Sequence, residues 1–365
     1  MRVRFKPIMS IRFYFRVLCT LLLALLAAWL CVALHTPLPW LIGPMLGTAF
    51  ASMFRLRTES STPLRNGGQA IIGTAVGLYF TPAMAALVAG LWWAIALGVV
   101  LALGLGMLFG AALHRWHAHR MPGLSRATTY FSSAIGGASE MTLLAERFQG
   151  RADLVASAHS VRLMLVTLVV PFAMQYSGWH GQDFAASGGA REVVLPGLAL
   201  LGLAVCAGAW VMARLGRPNP WFLGALVVAM GLTVAGVDLS AMPKPLSNAA
   251  QLVIGVSLGV RFTPAFVHTA PRWLVSVAVA TLGLIAVCSA FAALLAWCVG
   301  LPAGTMILAM APGGVAEMAI TAKVLQLGAP IVTAFHVCRL VAVLLLLEPL
   351  YLWIYSKPLQ ATSPK

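Results

Sequence analysis

The sequence predicts an all-α polytopic membrane protein made of two inverted-topology repeats, with about ten transmembrane helices plus two re-entrant helical hairpins. Three observations lead there. Of 365 residues, 61% are hydrophobic and only 9% charged, and the mean hydropathy is +0.92; soluble domains carry roughly 25% charge. Apolar runs long enough to cross about 30 Å of hydrocarbon recur along the whole length, and they are solid rather than alternating, which disfavours a barrel. Finally, the chain repeats itself. Gly136-Gly137-Ala138-Ser139-Glu140-Met141 returns 177 residues later as Gly313-Gly314-Val315-Ala316-Glu317-Met318, and His159/Arg162 returns at the same offset as His336/Arg339.

The apolar segments fall at 11–34, 39–54, 67–84, 88–113, 124–146 and 153–176, then at 193–214, 220–236, 247–262, 273–299, 302–325 and 330–355. That is six and six. This divides the chain into a basic N-terminal segment (1–10), a first repeat (11–176), a Gly- and Ser-rich linker (177–192), a second repeat (193–356) and a tail (357–365). Asn66-Gly-Gly-Gln69, followed by Gly73, Gly77 and Phe80-Thr81-Pro82, matches Asn248-Ala-Ala-Gln251, followed by Gly255, Gly259 and Phe262-Thr263-Pro264. Pro39-Trp40 and Gly43 match Pro220-Trp221 and Gly224. Internal repeats of this kind are typical of transporters.

Lys and Arg orient the halves. In the first, basic residues follow the second segment (Arg55, Arg57, Arg65) and the fourth (Arg115, Arg120, Arg126). In the second they follow the first segment (Arg214, Arg217) and the third (Arg261, Arg272). Opposite bias in equivalent connections means opposite orientation under the positive-inside rule. Inversion requires an odd number of crossings per half, so one segment of six must enter and return. The Gly-Gly segment is the best candidate, because broken backbone at membrane depth is tolerated where protein or a water-filled cavity covers it. This arrangement leaves only Arg191, Lys244 and Lys323 outside. It makes the chain a multi-pass membrane protein with both termini cytoplasmic.

The formal charge of +15 lies mostly in short connections between apolar runs, so it reads as topology rather than nucleic-acid binding. Six cysteines (Cys19, Cys31, Cys206, Cys288, Cys298, Cys338) all fall in apolar runs with no Cys-x-x-Cys pair, and read as small buried residues. Basic residues before Leu18–Leu34 resemble the start of a signal peptide, but the long run without a clear cleavage site favours an uncleaved first helix.

The candidate substrate- or ion-binding residues follow from the duplication. Glu140 and Glu317 are acids in a chain with nine Asp and Glu in all. An ionisable group inside a membrane costs several kcal/mol and faces a cavity or a partner; a carboxylate at a hairpin end among headgroups is the plainer alternative. Gly136, Gly137, Gly313 and Gly314 bend a hairpin tip and expose N–H groups that attract anions, or simply allow close packing. Ser139 adds a hydroxyl in the first copy alone. His159 with Arg162, and His336 with Arg339, share a helix face at i, i+3. The arginines suit a carboxylate solute or a salt bridge to Glu140 or Glu317, with a snorkelling Arg as the alternative. Asn66, Gln69, Asn248 and Gln251 either line a pathway or bond to helix ends. Trp40 and Trp221 read as interfacial anchors, and His114, His117 and His119 as a basic loop rather than a metal site. No cofactor or metal is implied.

These motifs resemble the Gram-negative membrane AbrB family, which is distinct from the small DNA-binding regulator of the same name. The resemblance rests on Pro312-Gly-Gly-Val-Ala-Glu317-Met and Pro39-Trp-Leu-Ile-Gly-Pro44 and covers about 11–355. It implies an inner-membrane protein; members are labelled variously transporter, regulator or ammonia monooxygenase. Ile135 stands where the second copy has Pro312, so the two hairpins need not be equivalent. A monooxygenase needs a redox metal held by His and carboxylates, and each paired His here comes with an Arg instead.

The sequence therefore points to a secondary transporter of a small anionic or zwitterionic solute, coupled to H+ or Na+, embedded in the lipid bilayer as a homo-oligomer or alone. A membrane-embedded regulator of gene expression or scaffold is the first alternative, and a membrane monooxygenase the second, disfavoured one.

Overall fold

The computed structural model describes residues 11–121, 123–179, 192–264 and 270–355. The N-terminal segment 1–10, the tail 357–365 and all but the ends of the 177–192 linker lie outside the described residues. Among the described residues there are fifteen helices and no strand. In chain order they are α1 (Ile11–Ala33), α2 (Pro39–Met53), α3 (Thr62–Gly77), α4 (Pro82–Gly90), α5 (Trp92–His117), α6 (Arg126–Ser133), α7 (Ala138–Arg147) and α8 (Ala152–Tyr176). Then come α9 (Leu195–Arg214), α10 (Pro220–Val234), α11 (Lys244–Gly259), α12 (Pro271–Val299), α13 (Ala303–Met310), α14 (Val315–Val324) and α15 (Ala329–Tyr355).

Proline sets many of the starts. Pro39, Pro82, Pro220 and Pro271 each open a helix at its first residue, where the missing N–H would be unpaired anyway. The residues before two of them, Leu38 (φ 46°) and Asn219 (φ 48°), share a left-handed backbone, so the turn itself is duplicated. Six helices (α1, α5, α8, α9, α12, α15) are long and apolar enough to cross a membrane, which makes the chain a multi-pass membrane protein. Of the ten expected spans, the other four (α2, α3, α10, α11) have 15 or 16 residues. At 1.5 Å per residue that is about 23 Å, short of the hydrocarbon thickness. The segment expected at 67–84 is not one helix: α3 ends at Gly77, and α4 leaves at 89° after Thr81, whose hydroxyl accepts from Met84 N (3.3 Å).

The short helices pair across the halves. α3 lies on α10, and α11 on α2. Gly73 and Gly77 press against Phe222, Leu226 and Ala229 of α10, while Gly255 and Gly259 press against Leu41, Met45 and Thr48 of α2. Both glycine pairs are spaced G-x-x-x-G, which lets membrane helices approach at backbone contact.

Both Gly-Gly segments are hairpins. Thr128 at the start of α6 lies beside the end of α7, and its Oγ1 accepts from Arg151 N (2.9 Å). Phe131 and Phe148 stack across the two limbs, with centroids 5.8 Å apart. In the second copy, Thr305 at the start of α13 packs against Gly328, just past α14. The two ends of each segment thus lie side by side.

Candidate functional site

The two hairpin tips meet. Residues 135–140 of one and 313–317 of the other line a single cavity of about 390 Å³. The rest of its wall comes from the start of α3, Leu163 of α8, the α9–α10 connection with the start of α10, the end of α11 with Arg261, and His336, Arg339 and Leu340 of α15.

Within each tip, charge is matched to helix ends. Glu140 and Glu317 are the third residues of α7 and α14, and each carboxylate folds back over the glycine capping its helix, Gly137 or Gly314. A Cβ on either glycine would overlap the carboxylate Oε2. Glu317 also accepts from its own backbone N–H. An acid at this position satisfies the unpaired N–H groups of the first turn and the positive end of the dipole. The glycines have φ −68° and −76°, so they serve space rather than a left-handed turn. Their partners Gly136 and Gly313 sit against Val343 of α15 and Val166 of α8, so each break rests on a long helix of the other half.

The His/Arg pairs hold the opposite ends. His159 Nε2–H donates to Phe131 O and His336 Nε2–H to Leu308 O, both at 2.9 Å. A carbonyl only accepts, so Nδ1 is the bare nitrogen in each ring. It takes a hydrogen bond from Arg162 Nη2 (2.7 Å) or Arg339 Nη2 (2.8 Å). Arg339 also donates to Ala311 O (2.7 Å) and Gly313 O (2.8 Å); Arg162 reaches Ser133 O at 3.3 Å. Both arginines thus satisfy carbonyls left open where α6 and α13 end, next to the negative end of those dipoles. Among the described residues neither pairs with Glu140 or Glu317; the salt bridges are Arg16–Glu59, Arg147–Glu348 and Arg151–Asp153. The brackets are unequal. Arg162 Nε is buried without a partner and its guanidinium reaches one carbonyl of its tip, whereas Arg339 holds the second tip, with Pro312, by two carbonyls.

Several sequence candidates converge here and others do not. Gly136, Gly137, Ser139, Glu140, Gly313, Gly314, Glu317, His336, Arg339, Asn66 and Gln69 line the cavity. His159 and Arg162 are buried behind it. Asn248 and Gln251, the second-copy partners of Asn66 and Gln69, lie elsewhere, with Gln251 buried. Trp221, read as an interfacial anchor, is in the wall. Three lining residues, Arg65, Arg217 and Arg261, read in the sequence only as topology markers. Their signal lay in the broken repeat: Ser247 stands where Arg65 would recur, and Tyr79 where Arg261 would. Among the described residues no three His, Cys, Asp or Glu side chains gather as metal ligands.

The chain resembles known proteins over nearly its full length. The family model described as "Transition state regulatory protein AbrB" matches residues 40–355. "Uncharacterized protein YhjN" of Bacillus subtilis (strain 168) is 28% identical over 336 residues, covering 86% of each chain. "Putative regulator AbrB" of Escherichia coli (strain K12) is 26% identical over 333 residues, covering 90% of this chain and 92% of its own. With the family model spanning most of the sequence and both hairpins inside the match, the chain belongs to the AbrB family.

Proposed function

We propose that the protein is a secondary transporter of a small anionic or zwitterionic solute, coupled to H+ or Na+. It works by alternating access between two inverted halves of five crossings and one re-entrant hairpin each, in the inner membrane with both termini cytoplasmic. The observation that carries this reading is the single cavity in which both broken hairpins, each with its acid, meet. Secondary transporters place discontinuous helices, with their N-terminal ends, at the substrate site.

The carboxylates supply the coupling. When ionised, Glu140 and Glu317 occupy the N-termini of α7 and α14. Taking up a proton removes that negative charge and leaves the helix ends and nearby arginines to a solute anion. The arginine brackets keep the breaks in register rather than gripping the solute. Uptake into proteoliposomes by the wild type, Glu140→Gln and Glu317→Gln tests this. Loss of gradient-driven uptake in either variant is expected. Unchanged uptake in both removes the coupling role, and no uptake of any solute favours the regulator or scaffold reading.

A further inference from the structure

The cavity holds more positive charge than its hairpins explain. Arg65 comes from the start of α3, Arg217 from the α9–α10 connection and Arg261 from beyond the end of α11. With Arg339 they make four cations against Glu140 and Glu317. Arg339 is committed to carbonyls and to His336. Among the described residues, Arg65, Arg217 and Arg261 form no salt bridge, and Arg65 Nε is buried without a hydrogen-bond partner. Arg65, Arg261 and Glu317 all line this one cavity, so their charges share one space.

The positive-inside rule accounts for basic residues on this side of the membrane. It does not account for where these two stand. Arg55, Arg57, Arg115, Arg120 and Arg214, which the same rule counts, are exposed; Arg65 and Arg261 are partly withdrawn into the cavity wall. Two like charges held across a cavity destabilise each other until an anion lies between them. Each guanidinium offers a planar fork that suits a carboxylate or phosphate.

We infer that the cavity binds a compact dianion, a dicarboxylate or a phosphate, between Arg65 and Arg261. Two cations without ion-pair partners set the charge of the ligand, and about 390 Å³ sets its size, at the small end of ligand cavities. Arg217, exposed at the rim, draws the anion in. This inference rests on the transport reading for its purpose but not for its test.

The test is titration of the purified full-length protein in detergent with succinate, inorganic phosphate and the neutral isostere succinamide, followed by calorimetry. Saturable binding of succinate, phosphate or both is expected, weakened by salt, with none for succinamide; the stronger anion identifies the class. Arg65→Gln and Arg261→Gln should each weaken it about tenfold or more, the scale of a lost hydrogen bond to a charged group. Arg214→Gln, outside the cavity, should not. Unfolding midpoints without ligand show whether the variants fold, and Arg261→Lys, which keeps the charge without the fork, should fall between. No binding of either dianion, equal binding of succinamide, or unchanged affinity in folded Arg65→Gln and Arg261→Gln overturns the inference. Dianion binding without uptake in proteoliposomes would keep this site and remove the transport reading. Coupled uptake of a solute indifferent to both arginines would do the reverse.

Discussion

At the scale of single residues, the Gly-x-x-Glu spacing has a steric cause. The glycine caps a half-helix, and the glutamate three residues on curls back to cover it. A methyl on Gly314 would meet Glu317 Oε2, forcing the carboxylate off the helix end. Gly314→Ala should therefore lower stability by about 1–3 kcal/mol, the usual cost of overpacking. In a Glu317→Ala background the same substitution should cost little, since the overlapping atom is gone and the remaining neighbour, Leu163 Cδ2 at 3.2 Å, is the tip of a flexible side chain. Thermal unfolding of the four proteins measures the coupling; an equal cost in both backgrounds refutes it. The duplication was enough to single out these glycines and acids. Their mutual contact was not legible, because glycine at a break is read first as backbone freedom, and here φ is negative in both copies. The arginines misled in the same way. A buried Arg suggests an acidic partner, but carbonyls at a helix end fill that role here, and nothing in the spacing of His159/Arg162 or His336/Arg339 distinguishes the two.

At the scale of elements, backbone contact at glycines lets the short helices close on the buried cluster of Leu41, Ile72, Phe222 and Ile254. Lipid is as apolar as leucine, so membrane helices associate through close packing of small residues. A Cβ at Gly255 would overlap Leu41 O across the α2–α11 contact, and one at Gly73 would overlap Phe222 O across α3–α10. Gly104 of α5 is exposed, with no atom near its would-be Cβ. Gly255→Val should lower the unfolding midpoint markedly, by an amount corresponding to about 3 kcal/mol or more once backbone must move. Gly104→Val should change it little, and equal shifts would show that the glycine contacts do not hold the halves together. The G-x-x-x-G spacing is plain in the sequence, and so are the hairpin positions, because Gly-Gly interrupts solid apolar runs. The corner between α3 and α4 was hidden. Thr81-Pro82 carries a helix-start signal, but it sits inside a run that stays apolar on both sides, and hydropathy alone draws one span.

At the scale of the whole molecule, two near-equal halves produce one unequal site. Element lengths match closely from half to half: α2 and α10 have 15 residues each, α3 and α11 have 16, and the hairpin limbs have 8 and 10 in both copies. Yet Asn66 and Gln69 border the cavity while Asn248 and Gln251 do not. At the second position Gln251 is buried, and nearby Lys323 Nζ donates to Ser247 Oγ at 3.2 Å, tying α14 to α11. Under the proposed transport reading, one end lining a cavity while the equivalent end is packed is what alternating access requires of either resting state. The cavity is at the end with Arg65, Arg217 and Arg261, which the proposed topology puts on the cytoplasmic side. In a background free of the six native cysteines, Arg261→Cys should react with a membrane-impermeant thiol reagent only from the cytoplasmic side. Gln251→Cys should be protected at rest. It should become reactive from the opposite side while solute turns over, and Lys323→Ala, which removes the tie between α14 and α11, should raise its reactivity at rest. Reaction of Arg261→Cys from outside would break the inverted arrangement. Reaction of Gln251→Cys from the same side as Arg261→Cys would show that the two ends of the pathway are not opposed, and alternating access between these halves would fall with it.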